Sequence, residues 1–261
     1  MTSAPAAPVP SSVPLPGSLA GVTVLIVGGS SGIGLAAAGL LASVGARPVL
    51  AGRDEARLKA AAESLAERCA AGGTDVRTYP ADVRDEERLA EVLDELGTVG
   101  HVLVTAGTVT RAPLAEAGRE LVADSVEGRL WGGYAVARAA APRLAPGGSI
   151  TYLSGIYVAR PVPGGAAVIA AAAATEGLAK ALAVELAPRR IRVNAVRSGT
   201  VDTPMLRRRL PDDEAVAAAG RAMPLGRYGT AEEAASAALF LMSNPYVTGS
   251  VLTIDGGQSL F

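Results

Sequence analysis

The sequence predicts an α/β fold: a single doubly wound domain with a seven-stranded parallel sheet and helices on both faces. Three observations predict it. Short apolar runs alternate with helical stretches from Leu19 onward, the pattern of βαβ units. The runs are apolar throughout, as strands covered on both faces must be. The first run ends in a glycine cluster that opens a helix, the connection a phosphate-binding turn requires. A length of 261 residues suits one such domain. There is no internal repeat and no second core. The domain is expected over residues 18–261, after a disordered Pro/Ala-rich tail over residues 1–17 that lacks a basic region and an apolar run.

The elements follow in order. Val22 to Val27 is the first strand, and an Ala/Leu-rich helix runs from Gly32 to Val44. Pro48 to Ala51 is the second strand. Asp54 can cap a helix reaching Ala71. Val76 to Tyr79 is the third strand. Asp85 to Leu96 is helical, with an acidic first turn that suits the helix dipole. Val102 to Thr105 is the fourth strand. One long helix is expected from Arg119 to Leu144, ended by Pro146-Gly147-Gly148. Ser149 to Leu153 is the fifth strand, Ala166 to Ala187 an Ala-rich fifth helix, and Ile191 to Val196 the sixth strand. A helix from Ala231 to Met242 precedes the seventh strand, Gly249 to Ile254.

Composition narrows the function classes. Twenty-four basic and 25 acidic residues give a net charge of −1, which supplies no field for nucleic acid or an anionic membrane surface. One cysteine, Cys69, excludes an internal disulfide framework, and with a single histidine, His101, a zinc site is not expected. No metal site is assigned. No apolar run has the length of a membrane span, so a cytoplasmic protein without membrane or nucleic-acid partners is expected. Residues are 49% hydrophobic but only 3% aromatic, so the core must be built from Ala, Val and Leu.

The glycine cluster sits between strand and helix, which marks a Rossmann-type dinucleotide site. Gly28, Ser30, Ser31, Gly32, Ile33 and Gly34 form the turn. Glycines let a pyrophosphate approach backbone N–H groups, and the helix N-terminus adds positive potential. After the second strand an acidic residue would bind a ribose 2′-hydroxyl. Gly52 and Arg53 stand there instead, and a guanidinium suits a 2′-phosphate. NADP(H) is therefore preferred over NAD(H). Asp82 and Val83 fall beside the adenine, and Thr105, Ala106 and Gly107 end the fourth strand against the cofactor.

From Leu19 to the C-terminus the chain resembles a classical short-chain dehydrogenase/reductase. The glycine motif carries Val27 where that family has Thr, and Val104 and Thr105 stand for the two Asn of Asn-Asn-Ala-Gly. Ile191 to Val196 matches the sixth strand, and Ser198-Gly199 stands for Pro-Gly. Thr203 matches the Thr that bonds the nicotinamide carboxamide, and Gly199 joins it in the cofactor set. The resemblance implies a tetrad of Asn, Ser, Tyr and Lys, in which Tyr exchanges a proton with the carbonyl oxygen. Counting from Glu176-Gly177-Leu178 puts the Tyr position at Val168, the Lys position at Ala172 and the Ser position at Gly155. Trp131-Gly132-Gly133-Tyr134 puts the Asn position at Arg129. No Tyr-x-x-x-Lys occurs anywhere in the chain. The family also implies a homodimer or homotetramer through the fourth and fifth helices.

Other side chains must then serve. Ser154 ends the fifth strand and can donate to a carbonyl. Tyr157, in the loop that lines the substrate pocket, can replace the missing acid. Arg129 can bind an anionic or enolic oxygen, or form a buried salt bridge with Glu176, itself a weaker acid/base candidate. Arg207-Arg208-Arg209 lies in the segment expected to cover the substrate, as a solvated face or an anion site. Asp202 has no evident role, His101 sits at the end of its strand away from the cofactor, and Cys69 is expected to be inert. The expectation is an NADP(H)-dependent oxidoreductase acting on a small molecule, a carbonyl/ketone reductase or alcohol dehydrogenase. Its proton donor is non-standard or supplied by the substrate, as a polyketide-like ketone with its own phenol would do. The alternative is a non-redox protein on the same scaffold: a cyclase or isomerase, or a silent ligand- or partner-binding protein.

Overall fold

The computed structural model describes residues 17–70 and 76–261; side chains are described from residue 18 and not over residues 67–70. The expected tail therefore lies outside the described residues apart from Gly17, as does the side chain of Cys69. The domain opens with a short 3-10 turn, Gly17–Leu19, whose Leu19 is buried.

Seven strands form one sheet: β1 Thr23–Val27, β2 Arg47–Gly52, β3 Arg77–Pro80, β4 Val99–Val104, β5 Leu144–Gly155, β6 Arg192–Ser198 and β7 Val251–Ile254. All pairings are parallel, in the order β3-β2-β1-β4-β5-β6-β7. Order reverses between β1 and β4, so their chains leave in opposite directions and open a crevice at the C-terminal edge. Every residue of β1 is buried, and Val24 to Val27 point alternately into two cores on opposite faces of the sheet.

The helices are α1 Gly32–Ser43, α2 Glu55–Ala70, α3 Glu86–Leu96, α4 Arg119–Val126, α5 Gly132–Ala140, α6 Ala166–Leu186, α7 Pro204–Arg207, α8 Asp213–Gly220 and α9 Ala231–Ser243. The Ala-rich composition finds its use here. α1 buries Gly34, Ala37, Ala38 and Ala42, and α9 buries Ala234, Ala235 and Ala238, where the two helices pack together. Asp54 accepts a backbone N–H at the start of α2, as expected, and Asp85, read as the first residue of the third helix, instead caps α3 by accepting the N–H of Arg88. α6 is long and apolar enough to cross a membrane by length and composition, yet its buried side chains lie against β5 and β6.

Several expectations need correction. The long helix from Arg119 to Leu144 is not one regular helix. A π-turn over Glu127–Trp131 separates α4 from α5, and a 3-10 turn over Ala141–Arg143 ends the run. Pro146, Gly147 and Gly148 then lie inside β5, which starts at Leu144. β4 begins at Val99 and stops at Val104, leaving Thr105 free to turn toward the glycine loop. The segment after β6 contains two short helices, α7 and α8, that the apolar periodicity does not announce.

Candidate functional site

The C-terminal ends of the strands border an open cavity of about 820 Å³. Gly28 to Gly34 wall its centre. Gly28 has φ +96° and Gly32 has φ +55°, conformations that favour glycine. A Cβ on Gly28 would lie 2.6 Å from Thr105 Oγ1, and one on Gly34 would lie 2.4 Å from Gly28 O. The Thr105 hydroxyl donates to Gly28 O at 3.1 Å and ties β4 to this loop. Ser31 precedes α1 without making a side-chain cap, so the first N–H groups of the helix keep their capacity for an anion.

Ser30, Ser31, Ile33, Arg53, Asp82 and Val83 line the same cavity, as do Ala106, Gly107, Gly199 and Thr203. So do Arg129, Ser154 and Tyr157. The residues assigned to cofactor and to catalysis therefore meet in one space. The β2 and β3 ends build one half, with exposed Arg53 and Arg57 and half-buried Arg84. Asp82 accepts the backbone N–H of Arg84. Arg84 in turn pairs with Asp124 at 2.5 Å, and that hydrogen bond holds the Asp124 carboxyl below its ordinary pKa. Gly128 and Gly132, one turn apart, let the π-turn approach the Val83–Arg84 loop; a Cβ on Gly132 would lie 2.8 Å from Val83.

The other half is built by the ends of β4, β5 and β6. Its wall is largely apolar: Gly155, Val168, Ile169 and Ala172 line it, and a Cβ on Gly155 would meet nothing within 4 Å. Ser154 is buried, and its hydroxyl donates to Glu176 Oε1 at 2.7 Å. Arg197 holds the same carboxylate with two bonds, Nε to Oε1 at 2.9 Å and Nη2 to Oε2 at 2.6 Å. The expected Arg129–Glu176 bridge is thus absent. Glu176 is occupied by Arg197 of β6, the strand against which α6 packs, and Ser154 is held with it. Arg129 instead donates from Nε to Thr108 O at 3.3 Å, and its guanidinium lies over Gly107. Burial pushes its pKa below the ordinary arginine value. Tyr157 keeps a half-buried place in a 3-10 turn over Ile156–Val158.

Asp202 does have a role. It binds Arg207 through two bonds of 2.7 and 2.6 Å, and Arg207 also reaches Asp213 at 2.7 Å. This clamp joins α7 to the start of α8 and leaves Arg208 and Arg209 on the cavity rim. His101 lies outside the cavity, as expected, with Nδ1 2.9 Å from Ser149 Oγ. Sequence reasoning missed Arg57 and Arg84. Arg57 stands one turn after Arg53 and Arg84 two residues after Asp82, so both were within reach. The Arg197–Glu176 pair was not, because 21 residues and a helix-to-strand crossing separate its partners.

The glycine cradle, its strand–helix setting and the sheet order carry a family assignment. A family model described as Enoyl-(Acyl carrier protein) reductase matches residues 27–259. The chain is a short-chain dehydrogenase/reductase. Carbonyl reductase family member 4 of Danio rerio is 34% identical over 241 residues, covering 90% of this chain and 97% of that protein. An NADPH-bound short chain oxidoreductase from Pseudomonas aeruginosa PAO1, described as containing an atypical catalytic center, is 31% identical. It superposes with a TM-score of 0.86 over 90% of this chain and 96% of its own. MalC Reductase/Diels-Alderase from Malbranchea aurantiaca is 31% identical, with a TM-score of 0.85 over 93% of this chain and 98% of its own. This short-chain dehydrogenase/reductase thus shares its fold along nearly its whole length with oxidoreductases.

Proposed function

We propose that the protein is an NADP(H)-dependent carbonyl reductase, or alcohol dehydrogenase in the reverse direction, whose proton donor is not the Tyr–Lys pair of its family. The observation that carries the reading is the composite cavity. An uncapped helix N-terminus and a glycine cradle adjoin Arg53, Arg57 and Arg84, a donor set that fits a pyrophosphate and a 2′-phosphate. The dinucleotide would be held by Gly28 to Gly34, by Asp82 and Val83, and by Thr105 to Gly107. Gly199 and Thr203 would hold the nicotinamide end. When bound, the reduced nicotinamide supplies the hydride that converts a ketone to an alcohol.

The chain's own task is to hold the carbonyl and deliver a proton to its oxygen. Val168, Ala172 and Gly155 provide no donor at the family's positions. Tyr157 is the phenol that lines this half, and we assign it the donor role. Ser154 acts through position: its proton is directed to Glu176, so the Ser154–Glu176–Arg197 network shapes the wall beside Gly155. A ketone carrying its own hydroxyl, as polyketide-like aromatics do, meets the same requirement without Tyr157.

Titration with NADPH and NADH, followed by nicotinamide fluorescence and thermal shift, tests the cofactor reading. Tight NADPH binding with weaker NADH binding is expected, and binding of neither would overturn it. A carbonyl screen with Tyr157→Phe then decides the donor: a loss of kcat on the order of 10²-fold is expected for general-acid work, while unchanged kcat assigns the proton to the substrate. The non-redox reading is favoured by the apolar wall and by the second activity in the name of the Malbranchea relative. It would show as NADPH binding without turnover of any carbonyl.

As in the family, we place the protein in the cytoplasm as a homodimer or homotetramer. Exposed Val122, Val126, Trp131 and Tyr134 on the α4–α5 run, and Val184 on α6, support that assembly.

A further inference from the structure

Charge is unevenly placed in the cavity. Six arginines line it, Arg53, Arg57, Arg84, Arg129, Arg208 and Arg209, against two carboxylates, Asp54 and Asp82. Both carboxylates follow β2 and β3, on one side of the switch point. On the other side, Arg129, Arg208 and Arg209 make no ion pair among the described residues.

Arg129 is the informative member. It is half-buried, and among the described residues only its Nε has a protein partner, Thr108 O. The nearby carboxylates are already engaged. Asp124 receives Arg84 and the Thr108 hydroxyl. Glu176 receives Arg197 and Ser154. Desolvating a guanidinium without a counter-charge is costly, and arginine does not escape by losing its proton. The two free Nη groups present parallel donors, the geometry that suits a planar carboxylate bound through both oxygens. Exposed Arg208 and Arg209 add a positive rim that draws anions inward.

We propose that Arg129 binds a carboxylate on the substrate, with Arg208 and Arg209 steering it, so that the substrate class is a ketone bearing a carboxylic acid. This rests on reading the β4–β6 half of the cavity as the substrate half. It deepens that reading by naming the group the substrate must carry.

Calorimetric titration of the NADPH-saturated protein with 4-oxopentanoate and 3-benzoylpropionate, each against its methyl ester, tests it. Each acid is expected to bind at least tenfold more tightly than its ester, with the difference shrinking as sodium chloride is added. Arg129→Met should bring acid and ester level while leaving the NADPH Kd within twofold, and Arg129→Lys should restore part of the preference. The Lys variant keeps the charge and guards against a folding defect, which circular dichroism also checks. Equal binding of acid and ester, or no binding of either acid, overturns the proposal. A loss of NADPH affinity of tenfold or more in Arg129→Met, with the acid preference intact, also overturns it by making the cofactor the partner of Arg129. If the wild type binds no NADPH, the redox reading fails by itself. The same titrations on the cofactor-free protein then still decide the carboxylate site.

Discussion

His101 shows how one buried side chain sets a pH response away from the cavity. Burial, with Arg192 adding repulsion, pushes its pKa down to about 4 from 6.5. The native state therefore keeps the ring neutral while the unfolded chain takes up a proton below pH 6.5. Stability present at neutral pH is lost as pH falls from 6.5 towards 4, by up to about 3 kcal/mol. Denaturant unfolding of wild type and His101→Asn across this window should show the difference narrowing as pH falls; a constant difference would refute it. Arg53 and Arg57 act at the other end of the molecule. Arg53→Ala/Arg57→Ala should weaken NADPH binding by roughly tenfold or more, since charge-assisted bonds to a phosphate are lost, and leave NADH nearly unchanged. Competitive fluorescence titration reads both. Sequence reasoning reached Arg53 because its place after the second strand has a fixed meaning. It could not assign the partners of Glu176, because β6 presents Arg197 to that carboxylate only after the sheet has formed.

Helix ends and helix interruptions set the geometry of the larger pieces. Thr230 caps α9 and receives the N–H of Glu233, while Glu233 bonds back to Thr230 N and binds Arg227 through both oxygens. Removing the cap with Thr230→Ala should cost about 1 kcal/mol, read as a Tm lower by about 2–4 °C for a chain of this size. The glycine turn is stricter. Gly34→Val places a Cβ against Gly28 O, so both nucleotides should lose binding, and retention of either by titration would contradict the cradle. The α1 start was legible because strand, glycines and helix follow one another in the chain. The π-turn over Glu127–Trp131 was not, because a glycine inside a helical run lowers its propensity without saying what form the irregularity takes. Packing against the Val83–Arg84 loop, permitted by Gly128 and Gly132, is a contact between distant segments.

The molecule as a whole presents a cavity across the switch point, and the α4–α5 run and α6 that help wall it also carry apolar surface exposed to solvent. Trp131 and Tyr134 stack with centroids 5.9 Å apart, and both are 40% exposed. Sedimentation or light scattering should return a dimer or tetramer. Trp131→Asp/Val184→Asp should shift it to monomer while the circular dichroism spectrum is retained. A wild-type monomer would remove this expectation.

The chain by itself determined the doubly wound sheet, the glycine cradle and the absence of a Tyr-x-x-x-Lys pair. Those features are local: apolar period, turn chemistry and residue order are written in neighbouring positions. Only the tertiary structure decided that Ser154 turns to Glu176, and that among the described residues Arg207 is clamped while Arg208 and Arg209 are not and Arg129 has no carboxylate of its own. Each of these is a competition for partners among groups tens of residues apart. Such competition is resolved by which strand ends and helix faces the packed sheet brings together, and by the cost of leaving a buried charge unpaired.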